Sequence, residues 1–153
     1  MERATYVLER TQVVPRPRDE VFRFFSDAAN LETITPPFVG FRIVTPPPIV
    51  MRAGTLLEYR LRLFGVPFSW QTSIERWEPP ARFVDVELRG PYALWEHTHE
   101  FEAVAGDGTR MHDRVRYALP LGPLGRAVHA LVVRRTLDRI FAFRHDRIEE
   151  IFG

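Results

Sequence analysis

Hydrophobic and polar positions alternate through the middle of the chain, from about Gly54 to Leu119. A period of two residues is typical of strands with one buried face. The alternation is broken at Gly65, at Pro79-Pro80, at Gly90-Pro91 and at Gly106-Asp107-Gly108, where turns are expected. The pattern therefore predicts five strands, at residues 55–64, 66–77, 83–89, 92–103 and 109–119.

The first fifty residues predict a different arrangement. Residues 6–14 are rich in β-forming side chains and end at Pro15, so they are expected to form the first strand. Residues 19–25 favour a short helix, and Ser26 or Asp27 can cap a second short helix that reaches about Ile34. Residues 41–44 favour a short strand before the extended run Pro46-Pro47-Pro48.

The last thirty residues change to helical spacing. Pro123 fits the first turn of a helix, where its missing N–H costs nothing, and no proline follows it. Residues 122–152 are therefore expected to form one helix on the order of 40 Å long. Its apolar stripe is predicted from spacings of three and four, at Leu124, Val128, Leu131, Val133, Leu137, Ile140, Phe141, Ile148 and Ile151.

These elements together predict an α+β fold. Successive hairpins give a curved, seven-stranded antiparallel sheet wrapped around a long C-terminal helix, with two short helices after the first strand. The length of the chain, 153 residues, suits a single domain over residues 1–153.

Alternation also assigns faces to the strands. In residues 92–103, Trp95, His97, His99 and Phe101 share one face, and the two aromatic residues place that face inside. Asp113 is expected to point into the same interior. Residues 83–89 stay ambiguous, because one parity buries Val84, Val86 and Leu88 and the other brings Asp85 and Glu87 toward the histidines. On the outer face, Glu96, Glu100 and Glu102 could pair with Arg110, Arg114 and Arg116 across the strands.

Composition excludes several chemistries. All 21 basic residues are arginine and there is no cysteine, so Schiff-base lysines, disulfides and thiolate catalysis are excluded. The net charge of +1 gives no global field to attract nucleic acid. Residues 1–4 lack an apolar signal run and no stretch could span a bilayer, so a cytoplasmic protein without integral membrane association is expected.

The order of the elements and several segments resembles the helix-grip fold of the START-like (SRPBCC) superfamily, over essentially the whole chain. The bacterial polyketide cyclase-like, ligand-binding branch is the most similar. The segments that carry the resemblance are residues 15–22, 30–37, 82–85, 90–92, 95–101, 113–117, 119–122 and 140–144. The resemblance implies a cavity between sheet and C-terminal helix that binds a hydrophobic or amphipathic small molecule.

Three hypotheses about function follow. The first is binding of a lipid or polyketide-like compound by residues on the inner face. The candidate ligand-binding residues are Tyr59, Phe68, Trp70, Asp85, Trp95, His97, His99, Phe101, Asp113, Tyr117 and Phe141. The second is a cyclase or dehydratase in which His97 or His99, with Asp113, acts as acid and base. The third is a protein-interaction module with a packed interior, in which the outer sheet face or an edge strand pairs with another chain. Under each hypothesis the protein is expected to be a monomer or a homodimer.

Two further features refine the candidate site. Two histidines and an aspartate could bind zinc or iron, but His112 is expected to point outward and His129 and His145 to lie on the helix. We therefore expect neither a metal nor a cofactor. Phe38 and Val39 would flank the cavity entrance in this fold, either as a gate or as ordinary loop anchors.

Overall fold

The computed structural model describes residues 4–153. Residues 1–3, which belong to the N-terminal stretch considered for a signal run, lie outside the described residues. All seven predicted strands are present, and their ends lie within two residues of the predicted ones. They form one antiparallel sheet in the order β1-β7-β6-β5-β4-β3-β2. The strands are β1 Tyr6–Val14, β2 Arg42–Ile43, β3 Leu56–Leu63, β4 Val66–Glu78, β5 Arg82–Arg89, β6 Leu94–Val104 and β7 Gly108–Ala118.

The helices also follow the predicted order. Helices α1, Arg18–Ser26, and α2, Asn30–Thr33, connect β1 to a single 3₁₀ turn, Pro37–Val39. The C-terminal helix is continuous but not uniform: α3, Gly122–Val128, runs into a π-helical segment, His129–Val133, and then into α4, Arg134–Phe152.

The predicted apolar stripe is correct for α4 and wrong for α3. In α4, Leu137, Phe141 and Ile148 are buried against the sheet. In α3 and the π segment, Leu124 and Leu131 are 61% and 72% exposed, and Val128 is exposed as well. The buried positions there are Gly125, His129 and Val133, each four residues apart.

The π segment explains why Gly125, His129 and Val133 are buried in place of most of the predicted positions. An α-helix turns once in 3.6 residues, so positions spaced by four drift around its surface. The wider π turn brings residues four apart back to the same face, which keeps Gly125, His129, Val133 and Leu137 in line. Gly125 is required at the start of this line, because a Cβ there would clash with the carbonyl oxygen of Pro120.

The pairing of β5 with β6 decides the face that alternation left open. The nearby register shift leaves Glu75 of β4 unpaired, between the pairs Ile74–Asp85 and Arg76–Val84, so β5 itself alternates regularly from Phe83 to Asp85. Burial alone does not identify the inner face, because Phe83 and Val84 are both buried. Asp85 is placed directly opposite His97 and faces the interior.

The interior contains two apolar clusters, one at each end. One cluster surrounds Trp70, Tyr92 and Phe141, and the other surrounds Phe22, Phe83 and Phe101 under α1. Buried polar side chains lie between them. Among residues 4–153, no helix combines the length and apolar character needed to cross a membrane.

Candidate functional site

A cavity of about 160 Å³ lies between the inner face of the sheet and α4. Its walls come from β3 to β6, from α4, and from the segment containing α2 and the 3₁₀ turn. The lining residues are Leu31, Ile34, Thr35, Val39, Phe41, Tyr59, Leu61, Leu63, Trp70, Thr72, Asp85, Tyr92, Trp95, His97, His99, Leu137, Ile140, Phe141 and Arg144. Most of the wall is therefore aliphatic or aromatic, and the polar groups are gathered at one end.

Seven of the eleven candidate ligand-binding residues line this cavity. They are Tyr59, Trp70, Asp85, Trp95, His97, His99 and Phe141. The other four do not line it. Asp113 lies behind the histidines and contacts both of them. The remaining three, Phe68, Phe101 and Tyr117, lie elsewhere, which corrects the expectation that every inner-face candidate lines the cavity.

Alternation gives the face of a strand but not the position of a residue along the cavity. Phe101 packs against Phe22 and Phe25 beneath α1, with ring centroids 5.2 and 5.6 Å away. Phe68 is near the β3–β4 hairpin and lines a cleft outside the cavity. Tyr117 is fully buried at the other end of the sheet and binds His129.

The polar end is a crossed arrangement of two histidines and two aspartates. On the sheet, His97 lies opposite Asp85 and His99 lies opposite Asp113. The hydrogen bonds run diagonally: His97 Nε2 is 2.8 Å from Asp113 Oδ1, and His99 Nε2 is 2.7 Å from Asp85 Oδ2. The imidazole rings stack with centroids 3.7 Å apart, so each histidine is fixed by a different carboxylate.

Arg144 of α4 completes this cluster from the helix side. One of its terminal nitrogens, Nη2, lies 3.3 Å from Asp113 Oδ1, and its guanidinium lies over Phe25 at 5.3 Å. Arg144 is 9% exposed, although a buried arginine is rare unless it is paired. The two aspartates, Arg144 and the histidines therefore form one buried network of charges (the polar cluster).

Among residues 4–153, two nitrogen atoms of the polar cluster have no hydrogen-bond partner. They are the buried atoms Arg144 Nε and His99 Nδ1. His99 Nδ1 is 3.3 Å from Asp113 Oδ1, but the geometry is not that of a hydrogen bond. A buried polar atom without a partner costs free energy. Both residues line the cavity, but these two nitrogens have almost no accessible surface, so an acceptor in the cavity would reach them only after the side chains shift.

The surroundings separate the protonation states of the two histidines. Burial, and then the neighbouring His99, lowers the pKa of His97 to about 4, so His97 is neutral at pH 7. Burial also acts on His99, but its interactions with Asp113 and Asp85 outweigh burial and raise its pKa. Burial opposes charge on Asp113 too, yet Arg144 and the histidines hold its pKa well below the usual value.

The geometry offers limited support for a metal. The potential ligand atoms of Asp85, His97 and His99 lie within 4.8 Å of one another. Both Nε2 atoms are already bound to carboxylates, and the Arg144 guanidinium adds a positive charge beside them. A cation would have to displace these contacts, so the residues present do not fit a metal well.

The segment predicted to flank the entrance lies beside the cavity. Val39 is buried and lines the cavity, whereas Phe38 is exposed. The guanidinium of Arg139 on α4 lies 4.4 Å from the centroid of the Phe38 ring. This contact joins the 3₁₀ turn to the helix, so the turn is held across the gap between sheet and helix.

A second buried histidine site lies outside the cavity. His129 Nε2 is 2.7 Å from the Tyr117 hydroxyl, and its ring stacks on Tyr6 at 3.5 Å. His129 belongs to the π segment and Tyr117 to β7. The pair therefore connects sheet and helix in the half of the molecule that is remote from the polar cluster. By contrast, His112 points outward as predicted, toward Thr11 and Glu9.

Sequence reasoning missed Arg144 as a site residue, although a signal was present. Arg144 is three residues after Phe141 and four before Ile148, so it lies within the apolar stripe of α4. An arginine on a face that is otherwise buried indicates a buried carboxylate opposite it. Asp113 was already expected in the interior.

The fold and this cavity define a class of protein: an α+β helix-grip protein with a small cavity that has one polar end. The sequence profile of the family described as "Polyketide cyclase / dehydrase and lipid transport" matches residues 6–152. The chain belongs to this family. No curated protein sequence matches it.

Solved structures share the fold at low sequence identity. TTHA0849 from Thermus thermophilus is 18% identical with a TM-score of 0.71, over 97% of this chain and 100% of that one. A START superfamily protein from Mycobacterium smegmatis is 14% identical with a TM-score of 0.69, over 95% and 98%. The Zhui aromatase/cyclase from Streptomyces sp. R1128 is 14% identical with a TM-score of 0.69, over 97% and 96%.

Proposed function

We propose that the protein binds a small, mainly apolar molecule that carries an oxygen acceptor, within the cavity between the sheet and α4. The observation that carries the proposal is the position of His97, His99 and Arg144 in the wall of a cavity that is otherwise lined mainly by apolar side chains. Ligand sites typically combine apolar walls with a few placed polar groups. The family, which includes lipid transport in its description, supports the same function.

The size and charge of the cavity narrow the ligand. A volume of about 160 Å³ is close to that of an engineered apolar cavity that binds benzene, so the ligand portion it encloses is about one ring. Asp85 and Asp113 offset the charge of Arg144 and any positive charge on His99, so the polar end has no excess of positive charge. A neutral carbonyl or hydroxyl group therefore suits it better than an anion.

The test compares two ring-sized probes that differ in the acceptor. Benzaldehyde and toluene would be titrated into the protein while the indole N–H signals of Trp70 and Trp95 are followed by NMR. We expect benzaldehyde to bind about ten times more tightly or more, since one hydrogen bond to a charged donor is worth about 1.5–3 kcal/mol.

Two variants on α4 sharpen this test. In Arg144→Met the difference between the probes should shrink, because a donor is removed from the polar end. In Arg147→Met, a half-exposed position on the same helix that does not line the cavity, the difference should persist. Equal binding of the two probes, or no binding, would overturn the proposal.

We infer a second candidate function, acid–base catalysis, from the two histidines. The pKa of His97 is lowered to about 4 and that of His99 is raised by Asp113 and Asp85, and both residues line the cavity. Such separated protonation states provide a base and an acid in one site. In a dehydration, His97 would remove a proton next to a carbonyl while His99 protonates the departing β-hydroxyl, which leaves as water.

A cyclic β-hydroxy ketone tests this candidate, because loss of water gives an enone with new ultraviolet absorption. We expect turnover to be lost in His97→Asn and in His99→Asn while benzaldehyde still binds. Binding of the probes without turnover in the unmodified protein would leave ligand binding as the function and reject the enzyme.

A further inference from the structure

The outer face of the sheet carries two different arginine populations. On β4, β5 and β7, five of the outward arginines lie within 4.0 Å of a carboxylate; among residues 4–153, Arg89 at the end of β5 has no such partner. The five are Arg76 with Glu78, Arg82 with Glu100, Arg110 with Glu102, Arg114 with Glu9, and Arg116 with Glu96. Most of these pairs join neighbouring strands, and two of them, Arg110–Glu102 and Arg116–Glu96, are among the predicted cross-strand pairs.

Three arginines on β2 and β3 differ from this pattern. Within residues 4–153, no carboxylate lies within 4.0 Å of the guanidinium of Arg42, Arg60 or Arg62. Arg42 and Arg60 are directly opposite in the β2–β3 register, and Arg62 follows on the same face of β3. Like charges in this position repel each other. Glu58, two residues before Arg60, shares the face of β3 but does not neutralise the group.

These three arginines line a cleft of about 510 Å³ on the outside of the molecule. Pro37 and Phe38 form one wall and Pro67 and Phe68 another. Arg139 lies against the Phe38 ring and adds a further positive charge nearby. The cleft is separate from the interior cavity: of the described residues that line either one, they share Leu61 alone.

Protection of the sheet edge does not explain all three arginines. A charge on an edge strand discourages pairing with another chain, which accounts for Arg42 on β2. It also accounts for Arg62, because β2 spans Arg42–Ile43 alone and leaves that side of β3 unpaired at Arg62. It does not account for Arg60, which is covered by Arg42 of β2. The repulsion would be relieved by an anion held between the guanidinium groups, each of which presents a planar fork of donors suited to phosphate.

We propose that the cleft formed by Arg42, Arg60 and Arg62 binds the phosphate group of a phosphorylated molecule whose apolar part rests on Phe38 and Pro67. Three positive charges suit a phosphate dianion or a diphosphate better than a single carboxylate. The phosphate could belong to a soluble ester or to a lipid headgroup, and the chemistry of recognition is the same. The proposal is independent of binding in the interior cavity.

The test uses pyrophosphate and two kinds of vesicle. Calorimetric titration with pyrophosphate, at ionic strength held constant with sodium chloride, should give saturable binding. The double variant Arg60→Gln/Arg62→Gln should weaken it by about tenfold or more, because charged hydrogen bonds are lost. The matched control, Arg110→Gln/Arg116→Gln, removes the same charge from paired positions and should retain the affinity.

Vesicles distinguish the two sources of phosphate. Binding to phosphatidic acid vesicles but not to phosphatidylcholine vesicles, lost in Arg60→Gln/Arg62→Gln, would assign the site to a lipid headgroup. Binding of pyrophosphate without vesicle binding would assign it to a soluble ester. If neither probe binds, or if both double variants lose binding equally, the proposal is wrong. Benzaldehyde binding should be unchanged in both double variants, which separates this outcome from failure of the interior site.

Discussion

Within residues 4–153, two buried side-chain links join the long helix to the sheet, and they differ in what surrounds them. In one, Arg144 of α4 meets Asp113 of β7 inside a network of charges at the end of the cavity. In the other, His129 of the π segment meets Tyr117 of β7 as a single hydrogen-bonded pair in packed surroundings. Burial lowers the pKa of His129 as well, and Arg134 adds to the effect, so this second link is uncharged at neutral pH.

The two links differ in how completely their hydrogen-bonding groups find partners. A neutral pair fixes the helix and satisfies the groups that form it. The charged cluster also holds the helix, but it leaves nitrogens of Arg144 and His99 unpartnered beside the cavity. Buried polar groups without hydrogen-bond partners lower the stability of a protein. They occur at the charged link, next to the cavity, and this favours the cavity end as the functional end.

The largest expected effect is the loss of the Asp113 charge. Asp113→Asn leaves the Arg144 charge without its partner at 3.3 Å, and we expect the free energy of unfolding to fall by about 3–5 kcal/mol. Denaturant unfolding measures this change. Asp138→Asn, which removes the carboxylate of the exposed pair with Arg10, should cost less than about 1 kcal/mol.

A double variant keeps this prediction testable if Asp113→Asn does not fold. Removing both charges in Asp113→Asn/Arg144→Met should recover part of the loss, since no buried charge is then left unpaired. Equal costs for Asp113→Asn and Asp138→Asn would contradict the assignment of a buried charge network.

The next effect is a loss of stability in mild acid. The folded-state pKa of His97, about 4, is below its unfolded value of 6.5, so unfolding takes up a proton between these pH values. The stabilising contribution of neutral His97 is present above pH 6.5 and is lost as the pH falls toward 4. From pH 6.5 to 5 we expect a decrease of about 1.5 kcal/mol in the free energy of unfolding, at up to about 1.4 kcal/mol per pH unit.

Unfolding curves measured from pH 7 to 4.5 test this dependence. His97→Asn should flatten the curve more than His129→Asn does, since the surroundings of His97 include a second histidine as well as burial. His99 contributes with the opposite sign. Its raised pKa gives stability that is present below pH 6.5 and is lost as the pH rises through its folded-state pKa. Equal slopes for the unmodified protein and His97→Asn would refute the neutral state of His97.

The smallest effect is expected at the neutral link. Tyr117→Phe removes the hydroxyl bound to His129 and leaves a buried imidazole nitrogen without a partner, at a cost of about 1–2 kcal/mol. Benzaldehyde affinity should not change, because Tyr117 does not line the cavity. Thermal or denaturant unfolding and the NMR titration measure the two quantities. A marked loss of affinity in Tyr117→Phe would mean that the two links are not separate.

The sequence by itself determined the order and type of the elements. Period-two alternation and the turns at Gly65 and Gly106–Gly108 located the long strands, because a strand with one buried face must alternate. Alternation also placed His97, His99 and Asp113 inside. These features depend on local spacing, and local spacing is written in the chain.

Only the tertiary structure decided which inner residues meet. The pairing of β5 with β6 placed Asp85 beside the histidines, and the π segment moved Leu124 and Leu131 outward. The position of α4 brought Arg144 to Asp113, while Phe68, Phe101 and Tyr117 were left outside the cavity. Periodicity specifies the face of a residue but not its depth along the element or its neighbour on another element, because those depend on how separate elements pack.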